Sequence, residues 1–351
     1  MNMEEISLED GGMFEVPRVY EGLRRQFIIP PFSVLRVQDG QWMRRKKEWL
    51  GLGIKSEIGR SRENLLQYND ACNRQQAEKG HRAYPKKWGT TFGSGAPGDL
   101  AKGFSQKQKI APAGKDQFIC SEKYNVSAGT SVFDLVLCEL IYHWFCPKGG
   151  CVVDPFAGGS VRGVVASVLG LRYWGSELRS EQVDANRIQA EEIVQGRKPS
   201  WVCGDALEVL SESPEADLLF SCPPYGNLEV YSDLPNDLSS MEYGDFLVAY
   251  RAIIAAAVDR LRENRFACFV VGNFRDKAGF YHDLVGDTVR AFRKVGMGFY
   301  NDAILVVSVG SLPIRVRKQF QSSRKLGKTH QNVLVFYKGD PGMIREEFSH
   351  E

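Results

Sequence analysis

The chain has 351 residues, 43% of them apolar and 25% charged, with a formal net charge of +2. That is an ordinary globular make-up, long enough for one large domain with additions or for two, and so balanced that bulk charge names no partner. It excludes a membrane span, because no uncharged apolar run reaches the roughly 20 residues that a bilayer requires.

Taken in order, the chain starts with "MNMEEISLED", which is acidic and unlike a signal peptide. "FIIPPFSVL" is expected to be extended at its prolines. "QWMRRKKEWLGLGIKSEIGR" predicts a helix carrying Trp42, Trp49 and a basic run from Arg44 to Lys47. Residues 61–118 are rich in Gly, Lys, Gln and Ser and poor in aliphatic residues. They bury little surface and predict an irregular linker or arm. Residues 1–118 are therefore expected to form an irregular N-terminal extension, and 119–345 the main domain.

From about residue 119 the pattern changes. "SVFDLVLCELIYHWF" has helical spacing and is ended by "PKGG". Then strand-like runs alternate with helical ones. The strands are "CVVDPF", "RYWGSEL", "SWVCGDA", "DLLFSCPPY" and "RFACFVVGNF". The helices are "SVRGVVASVLG", "SEQVDANRIQAEEIVQ", "YGDFLVAYRAIIAAAVDRLRE" and "YHDLVGDTVRAFRKVG". "YNDAILVVSVG" and "NVLVFYKG" close the chain as two successive strands. The expectation is an α/β, Rossmann-like fold: a mostly parallel seven-stranded sheet covered on both faces, with a C-terminal antiparallel hairpin. The eight cysteines include no CxxC pair and several lie in apolar runs, which fits reduced, buried thiols in a cytoplasmic protein. The five histidines are scattered, and no metal site is expected.

In such sheets a ligand lies at the carboxyl ends of the strands. Four polar motifs stand there in order. After the first strand, "DPFAGGSVRG" places Asp154 at the strand end and Gly158 and Gly159 in a tight turn. The second strand ends in Glu177, roughly 20 residues on, the spacing at which an acid meets ribose hydroxyls. The third, "CGDA", brings Asp205. The fourth runs into "SCPPY", where Pro223 and Pro224 stop the ladder and stiffen the turn.

This order resembles the S-adenosylmethionine-dependent amino-methyltransferases, which methylate exocyclic nitrogens of adenine or cytosine in DNA. The resemblance covers roughly residues 120–340, and "HQNVLVFYKGDP" is similar to their final strand. The "PPFSVL" and tryptophan-basic segments further resemble bacteriophage-encoded DNA methylases, which implies a bacterial or phage-infected host. The resemblance implies that Asp154, Phe156, Gly158 and Gly159 line the methionine and ribose of the cofactor. It implies that Glu177 takes the ribose hydroxyls, that Asp205 takes the adenine amino group, and that Phe133, with Ser131 and Asp134, packs nearby. Cys222, Pro223, Pro224 and Tyr225 would form the catalytic loop.

An exocyclic amine is a poor nucleophile because its lone pair is delocalised into the ring. The family localises it by accepting both amino hydrogens, with a side-chain oxygen at the first loop position and with a proline carbonyl, rigidly placed. The aromatic residue stacks on the extruded base. Here the first position is Cys222, and a thiol is a weak acceptor. Ser221 does not simply replace it, because adjacent strand residues point to opposite faces. Either Cys222 is a weak acceptor beside the Pro223 carbonyl, or it is a nucleophile for carbon-5 pyrimidine methylation, with Glu229 as the near acid. Amino methylation is the favoured reading. RNA, a protein glutamine or a non-catalytic DNA-binding role remain as alternatives.

"RVRKQFQSSRKLGKTH" holds Arg315, Arg317, Lys318, Arg324, Lys325 and Lys328 with no acid among them. Next to a base-methylating core this points to phosphate contacts on double-stranded DNA, against the plainer reading of a solvated loop. Arg44 to Lys47 repeat the theme, although their tryptophans also suit packing onto the core. Sequence recognition is expected from residues 20–120 or from the insertion "GNLEVYSDLPNDLSSMEYGD". A homodimer is compatible with the sequence and not specified by it.

Overall fold

The alternation of apolar strands and amphipathic helices produces one doubly wound sheet. In a computed structural model of the chain, residues 18–55, 133–228, 230–310 and 312–348 are described. The N-terminal part gives α1 (Arg18–Phe27), β1 (Val34–Arg36) and α2 (Gly40–Gly51). The main part gives α3 (Leu135–Phe145), β2 (Cys151–Asp154), α4 (Val161–Val168), β3 (Arg172–Glu177), α5 (Ser180–Ile193) and β4 (Ser200–Cys203). There follow α6 (Ala206–Val209), β5 (Ala216–Ser221), α7 (Tyr243–Arg260) and β6 (Leu261–Val271). The short pair β7 (Phe274–Arg275) and β8 (Tyr281–His282) precedes α8 (Leu284–Lys294). The last elements are β9 (Gly298–Val306), α9 (Leu312–Ser323), β10 (His330–Lys338) and α10 (Ile344–Glu347).

The sheet order is β1-β9-β10-β6-β5-β2-β3-β4. β10 runs antiparallel to both β6 and β9, and the other pairings in this sheet are parallel. This is the expected Rossmann-like class with its antiparallel C-terminal pair, but with eight strands instead of seven. The additional strand is β1, which pairs with β9 through Val34↔Ile304 to Arg36↔Val306. Three residues beside two prolines form no period long enough to announce a strand.

The central strands are buried along their whole length, which is why they read as continuous apolar runs. Alternate side chains still go to opposite faces. Val152, Leu218, Phe220, Cys268 and Val270 join the core under α3 and α4. Val153, Leu219, Ala267, Phe269 and Val271 join the core under α7 and α8. At the amino edge the buried Asp217 accepts from the Cys151 backbone N–H at 2.8 Å and pairs with Arg262 at 2.7 Å.

The tryptophan-basic segment is a docking helix. Trp42 and Trp49 are buried against α3. Trp42 Nε1 and Lys46 Nζ both donate to Asp134 at 3.1 Å, and Trp49 Nε1 donates to Glu139 at 2.9 Å. Arg45 forks onto the Glu139 carboxylate, its Nε at 2.7 Å. Arg45 and Lys46 are thus committed within the protein, so the packing reading describes them better than the phosphate reading. The helix also stops at Gly51, well short of the stretch predicted from sequence. Two further differences concern boundaries. α7 ends at Arg260 and passes directly into β6 at Leu261. The connection between the last two strands, expected as a loop, carries α9, a helix with no buried residue.

Candidate active site

The strand order reverses between β5 and β2, with β3 and β4 on one side and β6 on the other. Such a reversal opens a crevice at the carboxyl ends. A cavity of about 230 Å³ lies there, walled by the segments after β2, β3, β4 and β5.

The turn after β2 is built around Asp154. Its carboxylate is fully buried and takes four donors: Arg162 Nε at 2.6 Å, Tyr173 OH at 2.7 Å, Ser221 Oγ at 2.5 Å and the Phe156 N–H at 3.1 Å. Asp154 is therefore not in the cavity wall, which the resemblance implied it would line; its acceptor capacity is spent holding that wall together. Phe156, Gly158 and Gly159 do line the cavity. Gly158 has φ +53°, a left-handed conformation that favours glycine. Arg162, not singled out in the sequence, completes the arrangement. It donates to the carbonyls of Phe156 and Ala157, and its guanidinium lies 4.5 Å from the centre of the Phe133 ring. Burial disfavours its charge, yet Asp154 more than compensates and raises its pKa. Phe133 lines the cavity as expected. Asp134 instead caps α3 and binds α2.

Glu177, at the end of β3, reaches the cavity. Burial raises its pKa, against the pull of Arg179, whose backbone N–H donates to Oε1 at 3.0 Å. Asp205 caps α6 through the Leu207 N–H at 2.9 Å and accepts from Asn236 Nδ2 at 3.0 Å, on the cavity wall. The insertion after the proline loop folds over this side, with Tyr231, Asn236 and Leu238 in the wall.

Cys222, Pro223, Pro224 and Tyr225 form the remaining wall. Ser221 is turned away into Asp154, as the alternation along a strand requires, so the half-buried Cys222 occupies the first loop position. Cys222 Sγ lies 3.7 Å from Tyr225 OH, and Gln331 Nε2 donates to the same hydroxyl at 3.0 Å. Burial, then the neighbouring thiol, push the Tyr225 phenol well above its usual pKa and keep it neutral. Gln331 also lines the cavity. Nothing in the sequence distinguishes it, because it sits in a run legible only as a strand.

The six basic residues do not line this cavity. Arg315, Arg317 and Lys318 ride on α9, and Arg324, Lys325 and Lys328 come after it. Lys328 Nζ donates to the Asn273 carbonyl at 2.8 Å, just past the end of β6. A side chain at Gly272 would meet Lys328 Nζ at 2.8 Å and the Tyr225 ring at 3.7 Å, so these two flank one backbone position. Burial lowers the Lys328 pKa to about 8. Ser131, Glu229 and residues 61–118 lie outside the described residues.

No protein-family model matches the chain, and no curated protein does. Solved structures do show similarity. TrmN from Thermus thermophilus is 13% identical with a TM-score of 0.39, over 58% of this chain and 48% of its own, so about half of TrmN is matched. A TehB-like SAM-dependent methyltransferase from Corynebacterium glutamicum is 17% identical with a TM-score of 0.38, over 64% of this chain and 97% of its own. Magnesium protoporphyrin IX methyltransferase from Synechocystis, with bound SAM, is 11% identical with a TM-score of 0.38, again over 64% and 97%.

Among the described residues no group of three or more His, Cys, Asp or Glu is placed to hold a metal ion. Also among them, no helix is long and apolar enough to cross a membrane. Among the described residues, Cys138, Cys146, Cys151, Cys203, Cys222 and Cys268 form no disulfide.

Proposed function

We propose that the chain is an S-adenosylmethionine-dependent methyltransferase acting on an exocyclic amino group in DNA, N6 of adenine or N4 of cytosine. One observation supports this above the rest. The Cys222–Pro223–Pro224–Tyr225 loop walls the same cavity as the Gly158–Gly159 turn, Glu177 and Asp205. A nucleotide-type site and a rigid amine-type site thus share one space.

The residues fit the cofactor. The glycine turn allows close backbone approach, Glu177 is a half-buried acceptor for ribose hydroxyls, and Asp205 is an acceptor for an adenine amino group. Phe133 and Phe156 add apolar faces, and aromatic faces also suit a cation. When bound, S-adenosylmethionine supplies an electrophilic methyl group on a cationic sulfur. The chain's own part is to hold the amine in line with that methyl group. The Pro223 carbonyl accepts one amino hydrogen, and Cys222 Sγ is a weaker acceptor for the other. Tyr225 offers its ring to an extruded base, its hydroxyl fixed by Gln331. The amino proton passes to solvent after transfer, so no strong general base is needed.

The test is mass spectrometry of nucleosides from the DNA of a methylation-free host expressing the protein. N6-methyladenine or N4-methylcytosine is expected, and either one fixes the target base. 5-Methylcytosine would make Cys222 a nucleophile. An unmodified DNA pool would overturn the reading and direct the same assay to RNA.

A further inference from the structure

A second concave feature, sharing no lining residue with the cavity, lies between α1 and the first turns of α2. It encloses about 720 Å³ and gathers Arg24, Arg25, Arg36 and Arg44, with Asp39 as the single acid lining it. The sharp turn at Ile28 and the Gln41 side chain, which donates to the Ile28 carbonyl, set α1 against α2 and so shape it. Arg24 Nε is buried without a hydrogen-bond partner. A buried guanidinium donor left unmatched is rare and calls for an acceptor from elsewhere. Arg36 and Arg44 are exposed and form no ion pair among the described residues. Planar, permanently charged forks converging on a groove match the geometry of phosphate oxygens.

The topology relates this groove to the active site. β1 runs parallel to β9, and β9 has the direction of β6 and β5, so Arg36 and Cys222 leave the sheet at the same edge. Four strand spacings of roughly 4.8 Å separate β1 from β5, about 19 Å in all. The strands between them bring α9, Lys325 and Lys328 to this edge, since His330 at the start of β10 pairs with Val306 at the end of β9. Cations therefore run along one edge from Arg44 and Arg36 to Lys328 beside Tyr225.

We propose that the arginine groove binds the phosphate backbone of double-stranded DNA flanking the target base. At ~3.4 Å per nucleotide the contact falls about six base pairs from the extruded base. This rests on the DNA-methylating reading, and the test separates the two.

The full chain is titrated into a fluorescein-labelled DNA duplex of about 30 base pairs at several salt concentrations, with anisotropy as the readout. The Arg36→Gln/Arg44→Gln variant should bind more weakly, and its slope of log affinity against log salt should be shallower by ~1.8, the value for two lost phosphate contacts. Arg44→Gln alone should lose ~0.9. Lys148→Gln/Arg197→Gln removes the same charge from exposed positions at the opposite, amino edge and should keep the wild-type slope. S-adenosylmethionine binding by calorimetry, unchanged in each variant, reports an intact fold. A wild-type slope in the Arg36 and Arg44 variants, or an equal loss in the control, overturns the groove and leaves the enzyme reading standing. A wild-type chain that binds S-adenosylmethionine but no duplex overturns both.

Discussion

At the scale of single residues, the departure at Cys222 decides the chemistry. The thiol faces the cavity, while the neighbouring hydroxyl of Ser221 is locked onto Asp154. If Cys222 is an acceptor, Cys222→Ser supplies a better one in nearly the same volume. The expected outcome is methylation activity equal to or above wild type in a tritiated-methyl transfer assay. Loss of all activity would mean that sulfur forms a bond to the substrate. Lys328 allows a second prediction. Burial penalises its ammonium, so the amine is charged below about pH 8 and neutral above it. A cation on the substrate side favours DNA only while charged. Affinity for duplex DNA should therefore fall as pH rises from 7 to 9, and Lys328→Arg, which keeps its charge, should flatten that profile. Identical profiles would remove Lys328 from the interface. The sequence displayed both residues but not their surroundings. The hydrogen bonds that turn Ser221 away and hold Lys328 come from residues 67 and 55 positions distant.

At the scale of elements, α2 and α9 exchange the roles that their charges suggest. The basic run of α2 turns inward at Arg45 and Lys46, because the buried Glu139 and the half-buried Asp134 of the facing segment offer acceptors. α9 keeps its basic residues outward, with nothing buried. A charge run in the sequence does not show which acids lie opposite it, so the two segments looked alike. Glu139→Ala would leave Trp49 Nε1 and Arg45 without their shared acceptor. An unmatched buried donor costs about 1–3 kcal/mol, and Trp49 is the buried partner, so a loss of about 2 kcal/mol in urea unfolding is expected. A midpoint unchanged from wild type would show that α2 is not held by this carboxylate. The existence and order of the central strands, by contrast, were legible, although their ends were not. Complete burial leaves "CVVD" and "ADLLFS" nearly free of polar interruption, and their two acids are each offset by arginine, Asp217 at the amino edge and Asp154 by Arg162 at the carboxyl end.

At the scale of the whole molecule, the N-terminal segment completes the sheet as well as decorating it. β1 covers the free edge of β9, and α2 covers α3, with Trp42 and Trp49 inside the same core as Val152 and Phe220. Deleting residues 1–55 should therefore expose an apolar helix face and an unpaired strand edge, both prone to association. The expected result is an aggregated product by size-exclusion chromatography, with loss of S-adenosylmethionine binding. A monodisperse remnant that binds the cofactor would show the main domain to be self-sufficient.

The α/β class, the order of the main elements and the four motifs at the strand ends are all written in the sequence. Those signals are local: period-two and period-3.6 apolar patterns, glycine turns and a proline stop are all written within a few residues. Which polar groups face the cavity and which are spent inside is set by folding. Asp154 was conspicuous and proved to be internal; Arg162 and Gln331 were inconspicuous and proved to be at the site. It also decided the eighth strand and the convergence of four arginines on one groove. The physical reason is common to these cases. A side chain's role depends on the partners that folding brings to it, and those partners are fixed by strand pairing and helix docking across long stretches of chain.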